Sequence, residues 1–169
     1  MKTFTDAANR TWSITLNLGT AMAVKAKLDI DLLQPEAGDP PLLTRLGTDE
    51  MLLGEVLCAM LEGQFVTHKV TDADVRNSFD GQTLLAAQKA FYEELIDFFR
   101  SRGRTDRAKA VAKQMAMIDA AVTAIETKID GISVEETIAT AMTNPGAGGG
   151  AMSGGLRDPS ASDPVGSDG

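Results

Sequence analysis

Cysteine, histidine and positive charge are all scarce in this chain. Its one cysteine, Cys58, excludes an intrachain disulfide and suits a reducing compartment. The thiol is expected to fill an apolar helix face rather than to react. His68 is the one histidine, so a His-based triad or a His-rich metal site has too few members. Sixteen Lys and Arg stand against 24 Asp and Glu, a net charge of −8. That balance argues against the clustered cations that nucleic-acid backbones require, and against binding to anionic membrane surfaces. No apolar run approaches the roughly 20 residues of a membrane span, and Met-Lys-Thr-Phe-Thr-Asp lacks the apolar core of a signal peptide. A cytoplasmic location is therefore expected.

What is present fits one globular body. The 169 residues are 43% hydrophobic and 24% charged, enough to bury a core without staples. The expected fold class is α+β, mostly α. An N-terminal β-hairpin (2–18) should pack on a helical bundle in a single domain, 1–143, followed by a disordered tail, 144–169.

The hairpin is read from alternation. Trp12, Ile14, Leu16 and Leu18 fall on one face and Thr11, Ser13, Thr15 and Asn17 on the other, with Lys2–Asp6 as the partner strand. Gly19 should end the strand, and Thr20 should cap a short helix to Leu28. Residues 29–41, rich in proline, predict an extended connection. Thr48, before Asp49 and Glu50, reads as the N-cap of a helix bearing Leu53, Val56, Leu57 and Leu61 that stops near Gly63. Thr71–Asp74 resembles a capping box for a short helix ending at Phe79-Asp80-Gly81.

Two longer helices follow. Residues 82–102 carry one stripe of Leu84, Ala87, Phe91, Leu95 and Phe98 and a second of Leu85, Tyr92, Ile96 and Phe99, so most of the circumference should be buried. Thr105 starts a helix to Asp130 in which Val111, Met115, Ile118, Val122, Ile125 and Ile129 recur at heptad spacing. This seam either packs on the preceding helix or stays partly open for a partner or a second copy. Its candidate partner-binding residues are Val111, Met115, Ile118, Val122 and Ile125. Ser133–Glu136 is a capping box for a last helix to about Met142, and the Gly-rich run after Asn144-Pro145 has almost nothing to bury.

A search for chemistry returns little. Asp72/Asp74 hint at calcium, but Arg76 stands where a calcium loop needs an oxygen ligand. Gly146–Gly150 follows no strand and lacks the Lys-Ser/Thr of a phosphate loop, so it reads as linker. Glu93/Glu94 and Glu135/Glu136 read as solvated or capping acids, and His68 as a loop residue. No catalytic residue, cofactor or metal ligand is assigned, and the expectation is a binding protein rather than an enzyme.

Several pieces together carry a resemblance. A hairpin with Phe4-Thr5-Asp6 and Trp12–Leu16 leads to a small helix, Asp31-Leu32-Leu33 and an acidic loop. Leu46-Gly47-Thr48-Asp49, Thr71–Asp74, Phe79-Asp80-Gly81 and Ile96-Asp97-Phe98-Phe99 follow in order. Across residues 2–102 this order resembles the tail assembly chaperones of long-tailed bacteriophages and prophages. The resemblance implies a non-virion assembly factor that binds the tape measure protein and helps recruit tail tube protein. It also implies a longer product made by frameshifting near the end of the frame. The helix Thr105–Asp130 departs from the shortest members. A structural tail-completion or head–tail adaptor protein, or a generic cytosolic helical adaptor, is the competing expectation.

Overall fold

The structure is a computed structural model, and it describes residues 1–131. Two strands, β1 (Lys2–Thr5) and β2 (Thr11–Ile14), precede seven α-helices. These are α1 (Leu18–Leu28), α2 (Leu42–Thr48), α3 (Glu50–Leu61), α4 (Phe65–His68), α5 (Asp72–Asn77), α6 (Gly81–Ser101) and α7 (Thr105–Asp130). The mostly helical class with an N-terminal two-stranded antiparallel sheet is as expected. The chain divides into two compact units, Met1–Thr123 and Ala124–Gly169, so the boundary falls inside α7. The predicted helix at 133–142 and the tail from 144 lie outside the described residues.

The hairpin register pairs Phe4 with Trp12 and Lys2 with Ile14. Phe4, Trp12 and Ile14 are buried on one face, as the alternation requires. That face lies on α6 and α3, which supply the cover a lone hairpin lacks. The outer edge of β2 is closed by a side chain. Gln64 accepts from the Ser13 amide at 3.0 Å and donates to the Ser13 carbonyl at 2.7 Å, reproducing one rung of a ladder.

The alternation stops two residues earlier than expected. Leu16 is buried, but Leu18 is exposed because the chain has already turned into α1. Asn17, not Thr20, is the N-cap, and Thr20 answers it from the third helical position as the other half of a capping box. Gly19 is accordingly helical.

A second correction concerns the proline-rich connection. Pro41 ends it and α2 begins at once, burying Leu42, Leu43 and Leu46. Thr48 is the last residue of α2 and donates to the Thr44 carbonyl. Asp49 takes over as cap of α3, accepting from the Leu52 amide at 3.0 Å. α3 ends at Leu61, close to the expected Gly63, and a 3-10 turn, Glu62–Gln64, leads on into α4. The capping box Thr71/Asp74 of α5 is present in full.

The core gathers the inner faces of the hairpin, α1, α2, α3 and α6, with Trp12, Tyr92, Phe91 and Phe99 its largest fully enclosed side chains. Both predicted α6 stripes contribute. Leu85 is the exception, 43% exposed, while Leu84 and Phe98 sit at the margin.

Candidate functional site

Helix α7 is alanine-rich and of high intrinsic propensity, so its length needs no continuous cover. Its first turns are tied down. Arg107 donates to the Leu33 carbonyl and to Glu36, and its guanidinium lies 5.8 Å from the Phe99 ring centre. One clamp thus joins the 29–41 connection, α6 and α7. Ala108 and Val111 are buried, and Met115 and Ile118 pack at the core margin. α2 approaches α7 at Gly47, where an added Cβ would meet Gln114 Nε2 at 2.6 Å and Ile118 Cδ1 at 3.5 Å.

The five predicted partner-binding residues therefore divide. Val111 is 0% exposed and belongs to the core, which removes it from any contact surface. Met115, Ile118 and Val122 are half-buried, and Ile125 is 59% exposed. Ile129 is 63% exposed, and Met117, which the strict heptad reading omits, is 58% exposed. Met117, Ala121 and Ile125 fall one turn apart on one side of the helix, adjoining the seam. A wider period-3.6 reading of the apolar face would have found Met117.

The buried carboxylates have structural partners, whereas the hydroxyl of Tyr92 is enclosed without one. Asp6 is enclosed beside the hairpin turn. Its Oδ1 accepts from the Ala8 and Arg10 amides, both at 2.9 Å. Its Oδ2 accepts from Arg10 Nε at 2.7 Å, Trp12 Nε1 at 2.9 Å and Ser78 Oγ at 3.1 Å. Burial by itself would raise this carboxyl, but the hydrogen bonds from Trp12, Arg10 and Ser78 outweigh it and hold the group at about 2. With five donors the carboxylate has little capacity left for a substrate proton. It fastens the turn to α5.

Glu94 is a correction. It is buried rather than solvated, with Oε1 accepting from the Leu16 amide at 2.9 Å and Oε2 2.7 Å from the Met1 ammonium. His68 is another. It ends α4, half-buried, with its ring centre 4.4 Å from that of Trp12. Cys58 is buried, and burial pushes its thiol up, away from the thiolate that reacts. Among the described residues no group of three or more His, Cys, Asp or Glu side chains is placed to hold a metal ion, and no helix is long and apolar enough to cross a membrane.

In comparisons with protein-family models, curated proteins and solved structures, the chain matches none.

Proposed function

We propose that this chain is a non-enzymatic tail assembly chaperone of the long-tailed phage type, binding the tape measure protein and helping to recruit tail tube subunits. The observation that carries the reading is the run of exposed apolar side chains on α7, Met117, Ile125 and Ile129, in a protein of net charge −8. Exposed Met and Ile at helical spacing offer a seat to an amphipathic helix, and Met adapts to varied partners. The excess negative charge opposes association of the complexes with one another. Cover of this kind is what a long helical chain with bare apolar stripes needs while it waits for its tube. The chaperone would act in the host cytoplasm and leave before the particle is complete.

The test is co-expression with the tape measure protein of the same genome. Wild-type chain should bring it into a soluble complex that can be purified. The Ile125→Glu/Ile129→Glu variant should unfold at the wild-type midpoint yet yield no complex, since both residues lie outside the core. Tape measure protein that stays insoluble beside wild-type chain, or a complex indifferent to the double substitution, would overturn the proposal. So would recovery of the chain from purified particles, which would mark a structural tail component.

A further inference from the structure

A second surface lies wholly within the unit Met1–Thr123 and involves none of α7. The outer side of α3, Arg76 of α5 and the start of α6 enclose a groove of about 230 Å³. Cys58 forms part of its floor, and Phe79 and Leu84 form one wall. Gly54 leaves the other wall open, because a Cβ built there meets nothing within 4 Å. Met51 stands at the rim, 78% exposed. The cavity is smaller than the roughly 300 Å³ at which pockets for whole small molecules begin. It is of a size to take a single large side chain.

The rim is acidic. Arg76 is committed to two carboxylates, with Nη1 and Nη2 on Glu55 at 2.6 and 3.1 Å and Nε on Asp72 at 2.6 Å. Glu50 adds a third carboxylate in the first turn of α3. Glu50, Glu55 and Arg76 line the groove, and two carboxylates against one guanidinium leave a surplus that an incoming cation would answer. A second copy of this chain fits poorly, since a two-fold contact through this groove would set Glu50 and Glu55 against their own counterparts.

We infer that this groove docks one apolar anchor side chain, of Leu, Met or Phe size, from another protein whose segment carries Lys or Arg beside the anchor. The inference does not depend on the α7 face or on the tail-assembly reading.

The test uses the full chain and a fluorescent amphipathic helical peptide of Leu and Lys, with a matched Leu/Glu peptide as control. The Leu/Lys peptide should bind and should slow reaction of Cys58 with a thiol-reactive dye, because the thiol lies beneath the anchor. Gly54→Leu fills the groove from its open wall. It should melt no lower than wild type and weaken binding by about tenfold, the loss expected when one apolar anchor is excluded. Should that variant fold poorly, Met51→Lys, at an exposed position, should weaken binding in its place. Equal binding of the Leu/Glu peptide, or unchanged binding to a folded Gly54→Leu chain, would overturn the inference. So would protection of Cys58 that appears without peptide as chain concentration and dimer mass rise, which would make a second copy the occupant.

Discussion

The hairpin and the later part of α7 are both amphipathic segments, and the fold treats them oppositely. The hairpin's Phe4, Trp12 and Ile14 are enclosed, and its polar atoms are tied by Asp6, Gln64 and Glu94 to α5, to the turn after α3 and to α6. Such fully matched polar pins permit one seating and penalise any other. α7 is clamped near its start, at Arg107, and enclosed as far as Val111. Its remaining apolar side chains grade from half-buried to exposed. The difference separates side chains that build the body from side chains that it leaves exposed.

That contrast can be broken most severely at Trp12. Trp12→Ala should cost about 3–5 kcal/mol by chemical denaturation, from the cavity and from the donor that Asp6 loses. A loss below about 1 kcal/mol would mean the hairpin is not integral to the core. The two parts of α7 are compared directly by one substitution made twice. Val111→Glu buries an unpaired charge and should cost roughly 3 kcal/mol or more, whereas Ile125→Glu should stay within about 0.5 kcal/mol of wild type.

Acid titration isolates the hairpin's main pin. Asp6 is held at about 2 against 3.8 when free, so its depressed folded value contributes about 2 kcal/mol at neutral pH. That contribution is fully present above about pH 4 and is lost as the pH falls toward 2. The step should be seen in denaturant midpoints measured against pH and should be missing from Asp6→Asn. One small effect should be a gain. Gly54→Ala sits mid-helix with open space at its Cβ, and should stabilise the chain by about 0.5–1 kcal/mol.

Local signals in the sequence were legible where one interaction decides the outcome. Period-2 alternation gave the hairpin face, and Thr71 with Asp74 gave the cap of α5. Asn17 and Thr20 form a reciprocal pair, and only the backbone shows which of the two lies outside the helix. α2 was hidden by the prolines before it, although Pro41 followed by Leu42, Leu43 and Leu46 has the look of a helix start. Glu94 could not be read at all, because its partner amide at Leu16 lies 78 residues away. The candidate site shows the same limit. Val111 and Ile125 are equivalent in the heptad pattern, and only the neighbours that enclose one of them tell core from surface.

Hydrogen exchange along α7, measured with and without the tape measure protein, tests the division most directly. In the free chain, amides through Val111 should exchange at the rate of the core, and those beyond Val122 much faster. In the complex, the faster set should become protected while the first set stays as it was. A free chain already protected to Asp130, or a complex that leaves the later amides unchanged, would contradict the assignment of that face to a partner.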